Sequence, residues 1–279
     1  MIKMGARLTF RGIRFLWLGM GCLFLVFAAS CQSKKANFLA EDAVHLAPPK
    51  IRVDSLLFRN EAQVRLFAGD GESVIHYTLD GSDVGESSPS YKSPFTVSST
   101  KELKVKAFHP RFNPSEVVER KIIKMERDLS GATIKIHSSP NENYMGNGPN
   151  TLIDGQKGEF NFRTGKWLGF QEDRIVMDID FANTIPIQKV MVGLLRDQGA
   201  WIFFPSAIEI TTSEQIIGKI EIKESGQELE KQMRFVEVPV EKGTYDQITI
   251  SISPLNEIPE WHPGKGTMPW TFMDEILIE

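Results

Sequence analysis

The chain has 279 residues, 41% of them hydrophobic and 24% charged, with a formal net charge of -4. That length holds two modest domains, and the apolar fraction is enough for buried cores, which excludes a largely disordered chain. The acidic balance and the lack of a basic run exclude a nucleic-acid partner.

The first predicted element is a leader over residues 1–30. "MIKMGARLTFRGIR" carries Lys3, Arg7, Arg11 and Arg14 and no acid, and "FLWLGMGCLFLVFAAS" is almost wholly apolar. A basic start, an apolar stretch and small residues at its end make a secretory signal layout. The small residues directly before Cys31 resemble the lipobox of bacterial lipoproteins. The resemblance implies cleavage before Cys31, lipidation of Cys31 and a place in the cell envelope, with Gln32 pointing to the outer membrane. An uncleaved anchor is the alternative, but the apolar stretch falls short of the ~20 residues a spanning helix needs. Cys22 and Cys31 are the two cysteines of the sequence. The expected mature chain therefore keeps no thiol for a disulfide, a zinc site or a nucleophile. Losing residues 1–30 removes four positive charges, which takes the net charge from -4 to -8. Acyl chains rather than charge would then hold the protein at the membrane. Residues 31–49 end in Pro48 and Pro49 and are predicted to be a tether.

Residues 50–125 alternate in short strands with turns between them. "AQVRLFAG" places Val64, Leu66 and Ala68 on one face, and "KELKVKAFHP" does the same with Leu103, Val105 and Ala107. Asp80–Gly81 is a tight-turn signal. About six strands with no helical period predict a small antiparallel sandwich. Tyr77, Thr78, Asp80, Gly81, Ser88, Pro89, Tyr91, Pro94 and Phe95 make this stretch similar to the β-sandwich at the C-termini of chitobiases and β-hexosaminidases. That resemblance implies a structural or accessory role without catalytic residues. Tyr77, Tyr91 and Phe95 are expected to pack in the core.

Residues 130–279 are predicted to form a second domain of about eight strands without a helix, a jelly-roll sandwich. "RIVMDIDFA" and "IQKVMVGLL" read as separate strands, as do "MRFVEVPV" and "DQITISISP". "NTLIDGQKGEFNFRTGKWLGF", with Asp154, Gly155 and Trp167, resembles the opening of discoidin domains, the fold of family 32 carbohydrate-binding modules. "VGLLRDQGAWIFFPSAIEITTS" and "WHPGKGTMPWTFMDEILIE" resemble the version appended to family 20 β-hexosaminidases of Bacteroidetes-type bacteria. The resemblance implies an all-β, discoidin-like domain with a structural Ca2+ held by loop carbonyls, Asp154 and Glu275. Against a metal, Asp154 could simply cap a turn and Glu275 form a surface pair, and Lys157 adds a cation to the loop.

The adjacent acids Asp274 and Glu275 invite comparison with the Asp-Glu pair of those hexosaminidases. Their catalytic barrel needs about 250 residues with alternating helices, and no such pattern is present here. In a regular strand Phe272, Asp274, Ile276 and Ile278 share one face, so Asp274 and Glu275 should diverge and could not flank one glycosidic bond. No P-loop, GxGxxG, HExxH or GxSxG occurs, and the five histidines lack ligand spacing. No catalytic residue is assigned. Trp167 reads as core. Trp201 and Trp261 lie in Gly- and Pro-bearing loops beside Arg196 and Gln198, and beside His262 and Lys265. A flat ring with neighbouring polar donors suits a sugar, so these six residues are the expected carbohydrate site. The predicted function is a non-catalytic envelope lipoprotein that binds a glycan. The alternative is an envelope scaffold that binds protein and no sugar.

Overall fold

A computed structural model describes residues 45–279 apart from positions 70, 214, 224, 225, 228 and 229. The leader, Cys31 and most of the expected tether lie outside the described residues. What is described is all-β, as the alternation predicted, with three short 3-10 turns and no longer helix. Among the described residues no helix is long and apolar enough to cross a membrane.

Seven strands make the N-terminal sandwich. One sheet holds β1 (Lys50–Val53), β3 (Ala62–Phe67) and β5 (Phe95–Val97). The other runs β2 (Leu57–Phe58), β7 (Val118–Lys124), β6 (Lys101–Phe108) and β4 (Val74–Thr78), with β2 and β7 paired in parallel. Alternation decides what is buried: Leu103, Val105 and Ala107 of β6 are buried, and Leu103 and Val105 meet Val64 and Leu66 from β3 in one core. Gly81 sits at φ 77°, a backbone setting that favours glycine, and closes the turn after β4. Tyr77 stacks on Phe95 at 4.9 Å and Tyr91 meets it edge-on at 6.3 Å. All three rings pack against the core cluster, as expected of them.

The C-terminal sandwich holds β8 (Thr133–Ile136), β9 (Leu168–Phe170), β10 (Ile175–Arg196), β11 (Ala207–Thr212), β12 (Gln215–Glu221), β13 (Gln232–Ser253) and β14 (Thr271–Ile278). Four stretches that read as separate strands are two long ones. β10 and β13 each run 22 residues and pair antiparallel, with register shifts between Asp180 and Ile185 and between Ile187 and Lys189. The polar stretch between the apolar runs mimics a loop in sequence, but the ladder resumes beyond it. Each strand thus lines the core twice. Ile175, Met177 and Ile179 from the first half of β10 belong to the same buried cluster as Val190, Val192 and Leu194 from the second.

The two sandwiches touch. Leu57 and Ile123 from the first form a buried cluster with Met191 and Leu277 from the second, and Met125 and Phe235 pack against it. Arg59 grips Asp128 with both nitrogens at 2.6 Å, and Lys121 reaches Glu237 at 3.3 Å.

Candidate functional site

Two loops of the C-terminal sandwich bring the expected tryptophans together. The first links β10 to β11. Asp197 and Ile202 exchange backbone hydrogen bonds at 3.0 Å around a 3-10 turn at Gln198–Ala200. Trp201 ends that turn at φ 64°, unusual for a bulky residue and a strain that the surroundings must hold. Its amide donates to the Gln198 carbonyl at 2.9 Å, and its carbonyl accepts from the Trp270 amide at 2.8 Å. The second loop links β13 to β14. It is closed by Ile258 to Thr267 at 2.8 Å and Gly266 to Ile258 at 3.0 Å.

His262 joins the loops. Its Nδ1 accepts from the Gly264 amide at 3.0 Å, so its proton belongs on Nε2, which donates to the Gln198 carbonyl at 2.9 Å. The ring lies 6.2 Å from Trp201, 5.5 Å from Trp261 and 5.5 Å from Phe203. His262 is only 7% exposed, while Trp201 and Trp261 are 40% and 38% exposed. An added Cβ at Gly264 would press on the Trp201 ring at 3.0 Å. Two half-exposed indoles therefore flank a buried imidazole tied into both loops.

The other expected residues divide. Lys265 is exposed and pairs with Glu260 at 2.9 Å on the same loop. Arg196 and Gln198 are buried: the Arg196 guanidinium lies over the Phe204 ring at 5.3 Å, and the Gln198 amide donates to the Gly226 carbonyl at 3.0 Å. They support the loop from beneath rather than stand on its surface. Sequence reasoning missed Phe203 and Gly264, the ring and the gap behind the two indoles. The "WIFFP" run was the available signal for Phe203. Trp167 is 1% exposed and donates from Nε1 to the Glu159 carbonyl at 2.9 Å, a core residue. Trp270 packs against Tyr144 at 5.3 Å and Phe272 at 6.0 Å.

Asp274 and Glu275 correct the regular-strand expectation. β14 pairs Ile276 with Val192 but Met273 with Leu194, so two residues oppose Gly193 in a bulge. The side-chain alternation breaks there, and Met273, Ile276 and Ile278 all enter one core. A Cβ on Gly193 would run into the Asp274 carboxylate. Both acids turn to one loop, residues 154–158. Asp274 accepts from the Gly158 amide at 2.7 Å and from Lys157, whose ammonium lies over Phe235 at 4.7 Å and Trp167 at 5.3 Å. Glu275 accepts from the Gly155 amide at 2.8 Å. The pair clasps a loop.

Asp154 and Glu275 are brought together. Burial, then the charges of Asp154 and Asp274, push the Glu275 carboxyl up to about 9. Burial also raises Asp154, as does the charge of Asp274. The Lys157 cation lies against Asp274 instead. Among the described residues no group of three or more His, Cys, Asp or Glu is placed to hold a metal ion. A desolvated carboxyl pair still fits as the acidic part of a Ca2+ site, since that ion accepts carbonyl oxygens for its other ligands.

Residues 56–119 match the model of the chitobiase/beta-hexosaminidase C-terminal domain family. No curated protein matches the sequence. Among solved structures, the chain is similar to the C-terminal domain of a chitobiase from Bacteroides fragilis at 16% identity, covering 55% of this chain and 95% of that one with a TM-score of 0.36. It is similar to a CBM32 module from Clostridium perfringens in complex with GalNAc-beta-1,3-galactose at 13% identity, covering 54% and 96%, TM-score 0.36. A chitosan-binding module from a Paenibacillus chitosanase/glucanase matches at 9% identity, covering 55% and 99%, TM-score 0.36.

Proposed function

We propose that this chain is a non-catalytic, lipid-anchored protein of the bacterial cell envelope that binds a glycan on its C-terminal sandwich. The observation that carries the reading is the pair of half-exposed indoles, Trp201 and Trp261, held on closed loops around the buried His262. Their flat apolar faces suit the C–H face of a pyranose, and Lys265 and Glu260 offer polar atoms at the rim. Loops already fixed by backbone hydrogen bonds keep the ordering cost of binding low. His262, Arg196 and Gln198 hold the rings in place from below. Lipidation of Cys31 and the outer membrane complete the proposal, supported by the leader pattern. Ca2+ at Asp154 and Glu275 would tie the loop 154–158 to β14.

A glycan array on the full chain tests the reading. Retained neutral or amino-sugar glycans that are lost in the Trp201→Ala, Trp261→Ala double variant support it. A blank array for the parent favours the scaffold alternative.

A further inference from the structure

We propose that His262 is an acid-sensitive latch. Neutral, it ties together the two loops that carry Trp201 and Trp261; on taking a proton it lets them part, so that the site holds glycan at neutral pH and releases it in acid. The glycan half of this rests on the reading above. The latch itself rests on the geometry of the ring.

Both ring nitrogens are committed. Nδ1 accepts from the buried Gly264 amide at 3.0 Å within the β13–β14 loop, and Nε2 donates to the Gln198 carbonyl at 2.9 Å in the β10–β11 loop. The backbone sets these roles, since an amide N–H donates and a carbonyl accepts. Only the neutral imidazole with its proton on Nε2 satisfies both. A histidinium carries a donor on each nitrogen, so its Nδ1–H would face the Gly264 N–H across the same 3.0 Å. That amide would be left as a buried donor without an acceptor, an unfavourable state that the loop escapes by moving. The base of the loop is closed separately, by Ile258 with Thr267 at 2.8 Å and with Gly266 at 3.0 Å. Its tip can therefore shift without the loop unravelling. Gly264 sits close behind the Trp201 ring, so a shift there separates the two indoles.

The charged groups on the surrounding elements are turned elsewhere. On the β10–β11 loop, Asp197 pairs with Lys231 at 2.6 Å and the Arg196 guanidinium lies over Phe204. On the ring's own loop, Glu260 pairs with Lys265 at 2.9 Å and Glu257 is exposed. Among the described residues no carboxylate forms an ion pair with His262, so none offers an added proton a partner. The planes of Trp201, Trp261 and Phe203 stand at 85°, 80° and 81° to the imidazole. Aromatic rings can ease a positive charge, but they cannot turn the Gly264 amide into an acceptor. The hydrogen bond is what gives way. Histidine is the side chain whose charge ordinarily changes between pH 5 and 8. Glu275 holds its proton through that range on a different loop, and that proton steadies the fold, so acid acts through it in the opposite sense.

Nitrogen-15 NMR on the full chain reads the latch without any ligand. At pH 8 the His262 ring should show a bare Nδ1 and a protonated Nε2. Between pH 8 and pH 5 it should become doubly protonated. Over the same range the protection of the Gly264 amide, corrected for intrinsic exchange, should fall about tenfold or more, while that of Gly155 should not. His262→Asn offers a carbonyl oxygen as acceptor and has no proton to gain, so its Gly264 protection should stay level. The proposal is overturned if Nδ1 carries the proton at pH 8, if the ring stays neutral at pH 5, or if Gly264 is equally protected at both. It is also overturned if protection falls equally in a folded His262→Asn chain; should that variant not fold, the three parent readings decide alone. A glycan array read at both pH values separates the two claims. Retention of neutral glycans that falls about tenfold at pH 5 is the expected result. Equal retention at pH 8 and pH 5 would remove the latch and leave the indole site standing. A blank array on a chain whose Gly264 amide opens in acid would leave the latch standing and remove the glycan reading.

Discussion

At the scale of single residues, Glu275 carries the sharpest pH signature. Its folded-state pKa, about 9, lies above the ordinary value of 4.5. The folded chain keeps a proton there that the unfolded chain gives up, so the stabilisation is full below pH 4.5 and is lost as pH rises toward 9. In chelator, the melting temperature should fall as pH rises through that window, and Glu275→Gln should flatten the fall because Gln resembles the protonated acid. With Ca2+ present the parent should instead gain stability with metal concentration, and Glu275→Gln should not. Melts that are indifferent to both pH and chelator would leave Glu275 as a plain loop clasp. The sequence brought Asp154 and Glu275 together through family resemblance alone. The Gly155–Glu275 hydrogen bond beside them spans 120 positions of chain and leaves no local pattern.

At the scale of elements, alternation was legible and its interruptions were not. β3 and β6 read directly from Val64, Leu66, Leu103 and Val105 because each has one wet face. The joining of β10 across its polar stretch was hidden, since a register shift leaves the same polar residues that a loop would. The bulge at Gly193 was hidden too, because a glycine in "VMVGLLR" looks like any small residue in a buried strand. Its consequence is testable. Asp274 is fully buried and the Lys157 side chain is 11% exposed. Asp274→Ala would leave that ammonium buried without its partner and the Gly158 amide without an acceptor. A loss of about 3–5 kcal/mol of stability is expected by chemical denaturation, with faster hydrogen exchange at Gly155 and Gly158. Loss below 1 kcal/mol would mean that solvent reaches the pair.

At the scale of the molecule, two all-β sandwiches meet through Leu57, Ile123, Met191 and Leu277. The class of fold was legible from strand periodicity and turn residues. The loops that carry Trp201 and Trp261 were legible as loops, but their convergence on His262 depends on which strand ends lie side by side, and that is set by the sheet order. The proposed lipid anchor is a separate matter from what the chain binds. Cys31→Ser should abolish labelling by a fatty-acid analogue and release the protein from membranes. Retention without label would point to an uncleaved anchor.

The central claim is that the two indoles bind sugar. Titration calorimetry with an array-selected glycan measures it most directly, on Trp201→Ala and Trp261→Ala variants that melt like the parent. A stacked ring should contribute about 1–1.5 kcal/mol, so each loss should weaken binding roughly five- to twelvefold. Trp167→Ala should act differently, costing about 3–5 kcal/mol of stability as a core truncation. Folded Trp201→Ala and Trp261→Ala variants that bind the glycan as tightly as the parent would contradict the account.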